Sequence, residues 1–203
     1  RFLQTAAYFG ALPDPLGFLA GNRDASVALK PGETVWSREN PLRLEWGSLD
    51  DVVMGGASRS AVEGGVWSGT IVTEGGGFAG MRTKSLEPAL DVSRCVGLKL
   101  RLKGGGGQRF KLIIRDTYDW NGIAWSYSFD TQTLFPGSQI EVSAPFERFV
   151  PTQFARRVPN VQYNRKQLTA LQVTLSRFEY DGDLNPFFKA GDFALTLESI
   201  ETY

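Results

Sequence analysis

Between Val96 and Lys103 every second residue is bulky and apolar: Val96, Leu98, Leu100 and Leu102 alternate with Gly97, Lys99, Arg101 and Lys103. An extended chain turns successive side chains to opposite faces, so this pattern buries one face of a strand and wets the other. The pattern returns in RFKLIIRD, with Phe110, Leu112 and Ile114 on one face and Arg109, Lys111 and Arg115 largely on the other. It recurs in residues 66–73, 78–84, 124–130, 139–144, 169–178 and 192–203. Short alternating segments separated by turns rich in Gly, Pro, Asp and Asn predict an all-β fold, an antiparallel β-sandwich or jelly roll. Helical periodicity is confined to the start, where Phe2, Leu3, Ala6 and Phe9 form an apolar stripe that Pro13 and Pro15 stop. Residues 13–34 then read as an irregular linker wrapping onto the sandwich.

The chain of 203 residues suits one domain with one sizeable core. Its 22 basic residues balance 22 acidic ones, so no global basic field holds it to nucleic acid. Histidine is absent, which removes Ser-His and Cys-His nucleophile pairs and leaves a zinc site only carboxylates and one thiol. The single Cys95 has no internal disulfide partner and reads as a small buried side chain. No stretch approaches the roughly 18 apolar residues that span a bilayer. The chain begins with Arg1 instead of Met, which reads as a fragment or a processed form. The sequence GGGGQ, residues 104–108, invites a phosphate-loop reading, but it leads into an alternating strand and not a helix, so a hairpin turn is expected.

Four stretches carry candidate sites. In LEWGSLDDVVMGGASRS, residues 44–60, a strand runs into adjacent carboxylates and a Met-Gly-Gly turn. Asp50 and Asp51 are consecutive and point oppositely if extended, which disfavours an acid-base pair; capping of turn amides competes with a ligand or partner contact. Met54 reads as a core or corner filler, and Gly55 and Gly56 as the residues of a special backbone turn. In DTYDWNGIAWSYSFD, residues 116–130, Trp125, Tyr127 and Phe129 share the core face, while Trp120 and Asn121 at the turn are expected at the surface. Arg82, Arg101 and Arg115, on the polar faces of their strands, form a candidate site for a carboxylate or phosphate. YDGDLNP, residues 180–186, has calcium-like spacing at Asp181, Asp183 and Asn185, but Pro186 stands where glycine is needed, so an Asp-rich turn is preferred and no metal site is expected. The stretch 148–167 gathers Arg148, Arg156, Arg157, Arg165 and Lys166 in a loop-rich region, the best local basic patch.

The blocks WGSLDDVVMGGASRS, GGGFAGMRTK, GLKLRLKGGGGQRFKLIIRD, WSYSFDT, APFERFVP and GDFALTLESIETY resemble, in order and rough spacing, the complex I intermediate-associated protein 30 domain family. The resemblance covers residues 36–203, leaving 1–35 as an N-terminal extension, and it implies a galactose-binding-like β-sandwich. One departure stands at Gly105-Gly106-Gly107-Gln108, where the family usually reads Gly-Asp-Gly-Arg. Two settings of the family matter: a mitochondrial assembly factor for respiratory complex I, and a plastid or cyanobacterial type inserted in an atypical short-chain dehydrogenase. DDVVMGGASRS and LSRFEYDGDLNPFF look more like the second, whose plastid members support translation of the photosystem II D1 protein. That resemblance implies a chloroplast location, in the stroma or at the thylakoid. It also implies assembly or translation factors as partners and peripheral association with thylakoid complexes, with no membrane span. No cofactor is expected in this chain; NADP(H) would belong to host dehydrogenase regions outside it. The expected function is therefore non-catalytic binding or scaffolding, against RNA contact through residues 148–167 and carbohydrate binding, which the fold alone suggests.

Overall fold

The fold is given by a computed structural model, which describes residues 26–40, 44–135 and 137–203. The helix expected over RFLQTAAYFGAL, residues 1–12, lies outside the described residues. Fifteen strands follow one another: β1 (Val27–Ala28), β2 (Thr34–Ser37), β3 (Trp46–Asp50), β4 (Arg59–Glu63), β5 (Val66–Ile71), β6 (Phe78–Thr83), β7 (Leu90–Asp91), β8 (Gly97–Gly104), β9 (Arg109–Arg115), β10 (Ala124–Asp130), β11 (Gln139–Pro145), β12 (Val150–Gln153), β13 (Arg156–Arg157), β14 (Ala170–Ser176) and β15 (Gly191–Thr202). Two 3-10 turns, Asp51–Met54 and Phe146–Arg148, are the helical elements of the described residues.

Two sheets make the sandwich. One has seven strands in the order β13-β12-β10-β9-β14-β6-β3. The other runs β11-β8-β15-β5-β4, with β2 also paired to β15. Their facing sides close the core: Leu98, Leu100 and Leu102 of β8 and Leu195 and Leu197 of β15 oppose Phe110, Leu112 and Ile114 of β9 and Leu171, Val173 and Leu175 of β14, all buried. Each such side chain withdrawn from water contributes roughly 1.5–3 kcal/mol before the cost of ordering it. Trp67 stands edge-on to Phe110 and Phe193 at 6.0 and 4.7 Å between ring centres, an arrangement favoured by the ring quadrupoles.

Strand β15 shows how local irregularity serves the topology. Its buried positions are Phe193, Leu195, Leu197 and Ser199 and then Ile200 and Thr202, the parity changing between Ser199 and Ile200. The register against β8 shifts between Leu197 and Ser199, a bulge whose extra residue returns the second half of the strand to the core. The first half then pairs with β5 and the second with β2.

The expected hairpin at residues 104–108 is corrected. Strand β8 pairs with β11 and β15, whereas β9 pairs with β10 and β14, so the glycine turn crosses from one sheet to the other. Alternation says which face is buried but not which sheet a strand joins, and both strands turn their apolar faces to the same core. Gly104, Gly105, Gly106 and Gly107 all have positive φ, a coil that only glycine sustains over four residues.

Candidate binding groove

The outward face of the seven-stranded sheet is polar because the inward face has taken the apolar residues. Beside each buried residue of β9 and β14 stands a groove residue: Lys111, Ile113 and Arg115 on β9, and Gln172, Thr174 and Ser176 on β14. Register aligns them in rows. Gln172 is opposite Arg82 of β6 on one side and Ile113 on the other, and Ser126 of β10 continues the row. Thr174 is opposite Gly80 and Lys111, and Ser128 continues that row. The rows floor a groove of about 420 Å³.

One end is built by the loop after β9. Arg82 is only 4% exposed, with its guanidinium carbon 3.8 Å from the centre of the Trp120 ring, and the Arg115 guanidinium carbon is 5.9 Å from the same ring. Arg115 Nη1 donates to the Gly122 carbonyl at 3.2 Å, and the Asn121 amide donates to Asp119 Oδ1 at 2.9 Å, so the loop carrying Trp120 is held in shape. Gln153 Nε2 donates to the Asn121 carbonyl at 2.9 Å, tying the loop to β12. Burial, and then the neighbouring Arg115 charge, lowers the pKa of Arg82; burial also lowers that of Arg115, against the opposing charges of Asp119 and Asp116. Guanidinium is basic enough to stay charged in both.

The middle is organised by Lys111, a residue sequence reasoning placed on the wet face without assigning it a role. Its Nζ donates to the carbonyls of Phe178 and Glu179 and lies 3.9 Å from the Glu179 carboxylate. Glu179 Oε2 accepts from Ser128 Oγ at 2.7 Å, and Ser128 Oγ is 3.1 Å from the Tyr180 hydroxyl. Burial pushes Lys111 down to about 8, with the Glu179 charge opposing the shift. The polar residues alternating through β14 were the available signal for this floor, and Glu179 and Tyr180 arrive from a loop that no periodicity connects to β9.

The rim is apolar. Met54, expected in the core or a corner, is instead 76% exposed at the groove, because the 3-10 turn after β3 carries it outward. Phe154 and Phe178 are exposed beside it. Phe154 and Ala155 have φ values of 50° and 62°, a left-handed turn that non-glycine residues adopt only with support. Part of that support is the Asp181 amide, which donates to the Ala155 carbonyl at 3.0 Å.

The remaining sequence candidates are distributed elsewhere. Asp51 is fully buried and accepts from the Ser58 amide at 2.9 Å, Ser58 Oγ at 2.8 Å, the Gly77 amide at 2.7 Å and the Phe78 amide at 3.2 Å. Asp50 accepts from the Ser60 amide at 2.7 Å and from its hydroxyl. Gly55 has φ 90°, and a Cβ on Gly56 would stand 2.3 Å from Asp51 Cγ. The paired carboxylates and glycines therefore pin β3 to β4 and to the turn before β6.

Arg101 does not join Arg82 and Arg115: β8 belongs to the other sheet, where Arg101 pairs with Glu201 at 2.7 Å and with Glu141 at 3.7 Å. The basic stretch is also dispersed. Arg148 lies over Tyr127, Arg165 over Phe146, and Arg157 pairs with Asp181 at 2.8 Å, while Arg156 is exposed beside a second depression shared with Phe154 and Asp181. Asn185 is buried, donating from Nδ2 to the Arg109 and Ser176 carbonyls at 2.9 Å each and accepting from the Phe187 amide, so it clasps the chain to β9 and β14.

The chain is thus a two-sheet antiparallel sandwich with a groove across the outer face of the seven-stranded sheet. Its fold is similar to a family 11 carbohydrate-binding module from Clostridium thermocellum in complex with a β-1,3-1,4-mixed-linked tetrasaccharide, at 15% identity and a TM-score of 0.58, covering 86% of this chain and 96% of that one. The family 11 module of a cellulosomal cellulase from the same organism is similar at 16% identity and a TM-score of 0.56, covering 86% and 95%. Among curated proteins, none matches the chain. The chain belongs to the complex I intermediate-associated protein 30 (CIA30) family, whose model matches residues 36–197. Domains of this family and carbohydrate-binding modules are non-catalytic binding modules.

Proposed function

We propose that this chain is a non-catalytic binding domain of a biogenesis factor, and that it holds its partner in the groove between Trp120 and Phe178. The observation that carries this reading is the groove itself. Buried charged residues from β6 and β9 and from the loop after β14 converge under an exposed apolar rim, in a family named for association with complex I intermediates. Among the described residues lining the groove, Glu179 is the one carboxylate; it is bonded to Ser128 and set beside Lys111, with no second carboxylate among them to share acid-base work.

Within the family, the plastid setting is favoured by the forms DDVVMGGASRS and LSRFEYDGDLNPFF. The partner is then an assembly or translation factor in photosystem II biogenesis, supporting D1 synthesis or its assembly at the thylakoid. Respiratory complex I assembly in mitochondria is the second reading, favoured by the family's own description. No helix of the described residues is long and apolar enough to cross a membrane; the association proposed with the thylakoid is peripheral, as the family resemblance implies. A glycan reading draws on the fold likeness, but the Trp120 ring carries Arg82 and Arg115, and the Lys111 and Arg157 cations each lie 5.1 Å from the centre of the Tyr180 ring, where a sugar platform needs open ring faces.

The test is affinity capture of the full-length protein from chloroplasts, with and without RNase, comparing wild type with Ala124→Trp. Ala124 lines the groove, and the added ring fills it. Loss of photosystem II biogenesis proteins in the variant, independent of RNase, is expected; capture unchanged by the variant contradicts the groove as the binding site.

A further inference from the structure

Resting on the reading of peripheral association with the thylakoid, we infer that one end of the sandwich docks directly on a lipid surface. Leu134 and Phe135, in the loop after β10, enter the interface, with Leu184 of the loop after β14 and Val52 of the turn after β3 beside them. All four are exposed, Leu134 by 94% and Phe135 by 72%. None of the four lines the groove, so this surface is separate from the partner site.

Topology sets the three loops side by side. Strands β10 and β14 are each antiparallel to β9, and β14 and β3 are each antiparallel to β6, so β3, β10 and β14 run in one direction and end together. Because β10 and β3 stand four strand spacings apart in the sheet, the loops spread over about 20 Å. Apolar side chains on three loops at one end suit a lipid interface, which takes each of them without a shaped counterpart; a protein partner would have to match each one closely.

The backbone of the inserting tip is prepared for leaving water, where an unpaired peptide group is costly. The Phe135 carbonyl accepts from Thr133 Oγ1 at 2.9 Å and from the Ser138 amide at 3.2 Å, so it stays satisfied as the tip enters lipid. The turn before Leu184 is closed in the same way: the Asp183 amide donates to the Tyr180 carbonyl at 3.0 Å, and the Asp183 carbonyl accepts from the Glu179 amide at 2.8 Å.

Charge at this end agrees. Asp130 is paired with Arg109 at 2.6 Å, and Asp192 accepts from the Thr70 hydroxyl at 2.6 Å. Exposed Arg59, Arg177 and Lys189 outnumber exposed Glu74 and Asp183, so these groups present no net negative charge to lipid headgroups. The outer face of the other sheet is different, carrying the ion pairs Lys99–Glu141, Arg101–Glu201 and Lys103–Glu198, and it stays in water. Apolar insertion, and not charge, therefore supplies the attachment.

The test is sedimentation of the full-length protein with phosphatidylcholine vesicles, and with vesicles that also contain phosphatidylglycerol. The paired change Leu134→Ser and Phe135→Ser is expected to lower partition into phosphatidylcholine vesicles about tenfold or more. Val96→Ser, at an exposed site before β8 and so at the opposite end, should leave partition unchanged. A polarity-sensitive dye on Leu134→Cys, with Cys95 buried away from the reagent, should shift to the blue on vesicle binding. Partition unaffected by the paired change, no shift of the dye, binding that needs phosphatidylglycerol and vanishes with salt, or no binding at about 1 mM lipid overturns the inference. Sedimentation with thylakoid membranes separates it from the reading it rests on. Retention on thylakoids that survives the paired change, without vesicle binding, refutes the lipid contact alone. Vesicle binding that depends on Leu134 and Phe135, without retention on thylakoids, refutes the thylakoid reading and leaves the lipid contact standing.

Discussion

The guanidinium of Arg82 lies over the Trp120 ring with its central carbon 3.8 Å from the ring centre, though 38 residues separate the two in the chain. A desolvated cation over an indole is worth about 1–2 kcal/mol. A double-mutant cycle with Arg82→Met and Trp120→Leu, read by urea unfolding, should therefore give a coupling of that size. Additive effects would show that the contact is adjacency without energy.

The corner around Asp51 makes a second prediction. Asp51→Ala leaves the buried amides of Ser58, Gly77 and Phe78 without their acceptor. A loss of about 3–5 kcal/mol is expected, the range for removing one member of a buried charged network. Gly55→Val should cost about 1–3 kcal/mol through its backbone alone, since a Cβ there meets nothing within 4 Å but φ is 90°. A Gly55→Val protein as stable as wild type would remove the backbone argument.

Lys111 predicts the pH dependence of stability. Its pKa falls from 10.5 to about 8 on folding, chiefly through burial. Below about 8 the folded state carries a buried charge at a cost, and stability rises as pH climbs from about 8 toward 10.5. Between pH 8 and about 9.5 the stability difference between wild type and Lys111→Met should grow by about 1–2 kcal/mol; the Cys95 thiol, pushed up by burial, lowers stability over the same window in both proteins and cancels in that difference. Lys111→Met, which leaves the Phe178 and Glu179 carbonyls without their donor, should be less stable throughout and lack the rise. A difference between wild type and Lys111→Met that does not change with pH would place Lys111 in water.

What was legible in the sequence was periodicity and its consequences. The alternation of β8, β9, β10 and β14 predicts those strands closely; the polar positions of the 78–84 and 109–115 strands make Arg82 and Arg115 candidates, and the Asn121-Gly122 turn makes Trp120 one. Sheet membership was not legible, because Leu100 of β8 and Leu112 of β9 enter one core from opposite sheets with the same period. Arg101 was misgrouped for that reason. The link from Lys111 to Glu179 spans 68 residues and depends on a loop folding back over β9, which no local pattern encodes. Met54 was misread because hydrophobicity suggests burial, whereas the turn that Asp51 pins carries it outward.

The central claim is that the groove of the seven-stranded sheet holds the partner. Hydrogen exchange of the full-length protein, free and in its captured complex, tests this most directly. The account predicts added protection in β9, in β14 and in the 116–122 loop, with the outer face of β8 and β11 unchanged. Protection confined to β8 and β11, or to Arg156 and Arg157, with β9 and β14 exchanging as in the free protein, would contradict it.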